Sequence, residues 1–215
     1  MTTLSQIVAG LALIFSLVVF GLRLKSLLKM SSPVDVAPEK GNPTSGVLYA
    51  YTLGMAPWAK ESTRRHWLAY TRGVAFHGGI IVGFIILLGS PWFASMDFQF
   101  RLVLGIAATL GGILGLAGFA SRFIEANLRN LSNPDDYFAV LLVSLFLGAA
   151  GLSMLIPATM ALFYIISAIL LIYAPFSKIR HCLYFAFSRR FFGKFFGRRN
   201  VLPHQHPTSS AGFAR

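Results

Sequence analysis

The residues most able to do chemistry at neutral pH in this chain are its five histidines. His77 stands in an otherwise apolar run, VAFHGGIIVGF, where an imidazole needs either a structural hydrogen bond or a metal to ligate. His181 closes the stretch PFSKIRH after another apolar run and reads as an interfacial histidine or as a second ligand. Two imidazoles from different helices at similar depth are what bis-histidine ligation of a b-type haem requires, one on each side of the iron. Arg72, Arg122, Lys178 and Arg180 stand near the same boundary and are candidate contacts for haem propionates. His66 follows Arg64 and Arg65 and precedes Trp67, an interfacial setting, while His204 and His206 lie in a polar tail, PHQHP.

Other chemistries are excluded by composition. The single cysteine, Cys182, cannot build an iron–sulfur cluster, a cysteine-based zinc site or a covalent haem attachment. No nucleophile with its base, paired-carboxylate site or phosphate loop is present. No acidic residue falls inside an apolar stretch, which disfavours proton pumps and cation-coupled transporters. Of 215 residues 55% are hydrophobic and 12% charged, about half the charge of an average soluble domain. With a mean hydropathy of +0.66 and a net charge of +12, the chain reads as a small, basic, all-α integral membrane protein.

The elements that must position the histidines are therefore spans of about 20 apolar residues. Five are expected, at about residues 4–22, 73–92, 102–120, 137–155 and from 157 to at least 175. At about 1.5 Å per residue, a helix started at Pro157 reaches His181 just beyond the hydrocarbon core, so the fifth helix is expected to run on through the boundary. His77 lies roughly 7–8 Å along its helix from Arg72, near the same side. On this layout eighteen of the nineteen Lys and Arg residues fall on one face and Arg101 alone on the other. The asymmetry places the N-terminus outside and the C-terminus in the cytoplasm. The first span, with no basic residues before it, is not read as a cleaved signal peptide. The positive charge is accordingly a topology signal with attraction for anionic lipid or an acidic partner, not a nucleic-acid footprint.

The chain divides into a first span (1–22), a cytoplasmic loop (23–72), spans two to five (73–182) and a basic, aromatic tail (183–215). In the loop, Ser31 to Pro43 reads as a linker. Ser45 to Trp58 is semi-apolar but too short to span, and reads as interfacial, re-entrant or covered by a partner. The tail interleaves Phe191, Phe192, Phe195 and Phe196 with basic residues, a pattern for a helix on the inner leaflet or docked on a soluble subunit. Glycines crowd spans two and three, among them the G-x-x-x-G pairs Gly79/Gly83 and Gly111/Gly115. They serve close helix packing, or room for a flat cofactor beside a histidine, or both.

Two segments resemble a known family. Pro175-Phe176-Ser177-Lys178-Ile179-Arg180-His181 is similar to the Pro-Phe-Ser-Arg-x-x-His ending of the respiratory nitrate reductase gamma subunit. Phe76-His77-x-Gly79 resembles its Phe-His-x-Gly. The same superfamily includes cytochrome b subunits of heterodisulfide reductase-like and sulfite-reduction-associated membrane complexes. The resemblance implies that His77 and His181 are axial ligands of the haem nearer the cytoplasm. It also implies electron passage between quinol and the iron–sulfur clusters of a cytoplasmic partner in the inner membrane. At the positions of that family's second pair of ligands this chain has Leu87 and Phe163, so a single haem b is expected. Arg101 falls roughly where the family has a basic quinone-site residue, and the expected absence of the outer haem leaves a quinone site near the inner haem as the alternative. The expected role is that of an electron-transfer subunit, not a stand-alone enzyme. A haem-free membrane anchor or assembly subunit is the first rival reading, and a small transporter the second.

Overall fold

The computed structural model describes residues 2–30 and 36–202, and these are helical with short connections. His204, His206 and Arg215 lie outside the described residues, as does part of the expected linker. Helices run at Thr2–Lys29 (α1), Pro43–Tyr51 (α2), Glu61–Arg65 (α3), Trp67–Gly89 (α4) and Phe98–Ile124 (α5). They continue at Ala126–Leu131 (α6), Pro134–Leu155 (α7), Met160–Tyr173 (α8) and His181–Arg198 (α9). Four of them, α1, α4, α5 and α7, are long and apolar enough to cross a membrane, and a fifth span results if α8 and α9 form one broken crossing. These helices are apolar all round, with Leu17, Ile81, Ile113 and Leu145 exposed, which suits a multi-pass protein whose outer surface meets lipid.

Two compact units emerge. The first comprises Met1–Arg23 and Leu68–Arg180, the second Leu24–Trp67 and His181–Arg215. The first unit is organised by α5 against α7. Gly105, Ala108, Gly112 and Gly115 make one buried edge of α5. A Cβ on Gly112 would lie 3.1 Å from the Ser144 carbonyl oxygen, and one on Gly105 3.1 Å from the Met154 Cβ. Helix α4 joins through Gly79, where an added Cβ would stand 2.8 Å from the Gly111 Cα. Helix α8 packs on α7 through Phe163, stacked on Phe146 at 5.7 Å. The core serines send their hydroxyls back to their own helices, Ser153 to the Ala150 carbonyl at 2.8 Å and Ser167 to that of Phe163 at 2.7 Å. No lone polar group is thereby stranded at these positions.

Caps define where helices begin. Asn133 and Asp136 form a reciprocal capping box around Pro134 at the start of α7. Asp97 caps α5 by accepting from the Gln99 amide at 2.8 Å, and Asn42 caps α2 ahead of Pro43. The second unit pairs α2 with α9. One edge of the semi-apolar Ser45–Trp58 stretch is thus covered from within the chain, Gly46 of α2 meeting Gly193 and Gly197 of α9, while Leu48, Tyr51 and Trp58 stay exposed. The Arg198 carbonyl accepts from the amides of Lys40 and Gly41, both at 2.9 Å, which ties residues 37–41 to the C-terminal end of α9. That helix ends in a Schellman motif. Asn200 is left-handed (φ 55°), its amide bonds the Gly197 carbonyl, and the Val201 amide bonds that of Phe196.

One expectation is corrected. The fifth apolar helix does not run unbroken to His181 but stops at Tyr173, and residues 174–180 form turns before α9 begins at His181. Pro175 has no amide proton to give the helix four residues back, and the Phe176 and Ser177 amides both fold onto the Tyr173 carbonyl. Gly111→Ala is expected to destabilise the first unit by about 1–3 kcal/mol because backbone, not a flexible side chain, blocks the new methyl. Gly148→Ala, which meets open space, should be neutral or slightly stabilising. Thermal unfolding of both variants in detergent checks the contrast.

Candidate functional site

The phase of α4 decides where His77 points. Gly79 and Gly83 form the edge that packs: a Cβ on Gly83 would come within 2.6 Å of the Phe146 ring and 2.8 Å of Leu147. At about 100° per residue, a side chain two positions before Gly79 lies about 200° round the helix. His77 is accordingly exposed, on the same side as Val74, Gly78 and Ile81. Its Nδ1 lies 2.7 Å from the Gly73 carbonyl oxygen, one turn earlier. That bond selects the tautomer with the proton on Nδ1 and the lone pair on Nε2, the arrangement of a metal-ligating imidazole oriented by a backbone carbonyl. Phe76 meets the His77 ring edge-on at 5.8 Å and packs inward toward Gly115.

The glycines of α4 therefore divide by face. Gly79 and Gly83 are packing positions, whereas a Cβ on Gly73 or Gly78 would meet nothing within 4 Å. The open pair flanks His77 in sequence. The packing reading of these glycines therefore holds for Gly79 and Gly83, and the phase of the helix separates them from Gly73 and Gly78.

His181 is the first residue of α9 and is exposed, in the second unit. The turn that precedes it in the chain, within the first unit, is held by Asp135. That carboxylate accepts the Tyr173 hydroxyl and, at 2.8 Å, the backbone amide of Lys178, so it holds both ends of the turn after α8. Lys178 also pairs with Asp136 at 2.6 Å. This network was not legible in the sequence. Nothing in the NPDD run announces a bond to a tyrosine on another helix.

The other predicted residues fall as follows. Arg72 donates to the Ser121 hydroxyl at 2.8 Å, and Arg122 to that of Ser132 at 2.9 Å. The Tyr137 hydroxyl donates to the Arg122 carbonyl at 3.1 Å. With Lys178 on Asp136, three of the four cations expected at propionates are engaged by the protein itself, and Arg180 is exposed. Arg101 lies in the first turn of α5 with its guanidinium 4.5 Å above the Phe93 ring and 5.9 Å from that of Phe98. Leu87 and Phe163 are both buried in the core of the first unit. His66 is exposed in the turn between α3 and α4.

Compared with known proteins, the chain matches no family model, no curated protein and no solved structure.

Removing the Asp135 carboxylate leaves the Lys178 amide and the Tyr173 hydroxyl without their acceptor. Asp135→Ala is expected to cost about 1–3 kcal/mol and to speed amide hydrogen exchange over residues 174–180. Exchange at the α5–α7 seam should change far less in the same mass-spectrometric measurement.

Proposed function

We propose that this protein is the membrane subunit of an oxidoreductase complex, holding one b-type haem and passing electrons between quinone and a cytoplasmic iron–sulfur partner. The observation that carries the reading is the His77 imidazole, fixed by the Gly73 carbonyl with its lone pair on Nε2 and flanked by two glycines that leave space. Its donor set fits an axial ligand. His181 is the proposed second ligand on the strength of its sequence context. When bound, a haem there supplies one-electron chemistry. The chain's contribution is to hold the imidazole in one tautomer and orientation through Gly73. The buried side chains at Leu87 and Phe163 support one haem and not two, since neither can ligate iron and both fill core.

The proposed topology is five spans, the fifth made by Pro157–Tyr173 alone with α9 outside the crossing, and with the N-terminus outside and the C-terminus in the cytoplasm of a cell's cytoplasmic membrane. It is supported by the distribution of Lys and Arg along the sequence. Arg101, bracketed by two phenyl rings, is the proposed contact for a quinone carbonyl. A second reading, a haem-free anchor, is favoured by one observation: Arg72, Arg122 and Lys178 are already bonded to Ser121, Ser132 and Asp136.

A reduced-minus-oxidised visible spectrum with haem quantitation on detergent-purified protein separates the two. Wild type and His66→Ala are expected to show a b-type signal at one haem per chain, and His77→Ala and His181→Ala none. Added imidazole should restore absorbance to His77→Gly, which distinguishes a lost ligand from a lost fold. A flat spectrum from monodisperse wild-type protein selects the anchor.

A further inference from the structure

The second unit carries a surface that the haem reading does not use. In α9, Gly193 and Gly197 are buried against α2: a Cβ on Gly193 would lie 2.5 Å from the Val47 Cα, and one on Gly197 2.8 Å from the Gly46 Cα. Backbone contact at that spacing fixes the phase of the helix, as Gly79 does for α4. The face about 180° away is then the row Tyr184, Ser188, Phe191 and Phe195, spaced i, i+4, i+7 and i+11. Tyr184, Ser188 and Phe191 are exposed. Phe191 stacks on Phe195 at 5.9 Å, and Arg199 covers Phe195 with its guanidinium 3.6 Å from the ring centroid.

Cations flank this row. Arg190 and Lys194, one turn apart, are both exposed, and Lys194 lies beside the aromatic face. In the described part of the unit only Glu39 and Glu61 are acidic, and each is paired within the unit, with Arg198 at 3.4 Å and Arg65 at 2.5 Å. The companion helix exposes Leu48 and Tyr51, and Trp58 beyond it is 67% exposed. Only residues 174–180 separate α9 from the apolar helix α8. Aromatic residues in a row, basic residues beside them and a strongly apolar helix a few residues away in the chain are the features of a helix that lies in the bilayer interface.

We propose that the α2–α9 pair is an anionic-lipid-binding module. Phe191 and Phe195 enter the acyl boundary while Arg190 and Lys194 bind phosphate headgroups. An acidic protein partner is disfavoured by the stacked phenyl row, which would demand a matching apolar slot between its carboxylates, whereas a headgroup layer offers both environments over any register. The proposal is independent of haem binding.

The test uses the full chain, with a nitroxide on Ser188→Cys in a Cys182→Ser background. It is reconstituted in phosphatidylcholine nanodiscs with or without phosphatidylglycerol. Collision of the label with oxygen and with an aqueous nickel chelate reports its depth. The expected result is shielding from nickel only when phosphatidylglycerol is present, weakened by 0.5 M salt (about 4 Å of screening length). Arg190→Gln/Lys194→Gln is expected to lower the ratio of inserted to exposed label about tenfold or more. Arg190→Lys/Lys194→Arg should preserve it. Hydrogen exchange at 193–197, unchanged in every variant, shows that the helix pair persists. A label open to nickel in both lipids overturns the proposal and assigns the face to a protein partner. Equal insertion in both lipids overturns the role of the headgroup charge.

Discussion

Backbone-to-backbone contact at glycine is the constraint on which the arrangement of chemistry in this chain depends. Where an added Cβ on Gly79 would stand 2.8 Å from the Gly111 Cα, no side chain fits on either helix, and α4 can meet α5 in one rotational phase only. That phase is what turns His77 outward. In bilayer surroundings no hydrophobic drive holds apolar helices together beyond their packing, so the approach these glycines allow does the work that a leucine core does in water. A Cβ on Gly79 would rotate or separate α4, and the imidazole would move with it. The ligand-capable residue is thus positioned by residues that have no side chain.

A second constraint acts on chain direction rather than helix phase. Pro175 ends the α8 hydrogen-bond ladder, and the Asp135 carboxylate then takes the Lys178 amide, so the turn after α8 is bound to the start of α7. The acidic first turn of α7 would be favourable for the helix dipole in any case. Here Asp136 serves the cap and the Lys178 ammonium, and Asp135 serves the turn. Two adjacent carboxylates outside the apolar stretch therefore hold the turn that follows α8.

The existence of the long helices was legible because an apolar run of twenty residues has few other fates, but α5 and α7 begin at Phe98 and Pro134, a turn before the expected 102 and 137, where Asp97 and Asn133 cap them. The start of α4 at Trp67 rather than near Gly73 was not legible either, because hydropathy registers the lipid-crossing part of a helix and not the polar turns that extend it through Tyr70 and Arg72. The break at Pro175 was outweighed by length arithmetic, which assumes an unbroken rise. Most instructive is the glycine set of α4. Gly73, Gly78, Gly79 and Gly83 are alike in sequence, and only helix phase, a tertiary property, divides them into packing and open positions. The tail was legible as an aromatic and basic helix, while its pairing with Ser45–Trp58 required contact between segments far apart in the chain.

Charge follows the same division between the two units. In the first, Arg72 and Arg122 donate to the hydroxyls of Ser121 and Ser132, and Lys178 pairs with the Asp136 carboxylate. In the second, basic residues outnumber acidic ones heavily: Lys25, Lys29, Lys40, Lys60, Arg64, Arg65, Arg189, Arg190, Lys194, Arg198 and Arg199 stand against Glu39 and Glu61 among its described residues. Exposed pairs such as Arg65 with Glu61 contribute little to stability and remove little of that field. Such an excess destabilises a compact unit through self-repulsion unless a counter-charge is near. The glycine seam between α2 and α9 needs no charged side chain, so the unit packs while cations such as Arg190 and Lys194 stay exposed. Packing through small residues in one place is thereby compatible with an unbalanced charge in another.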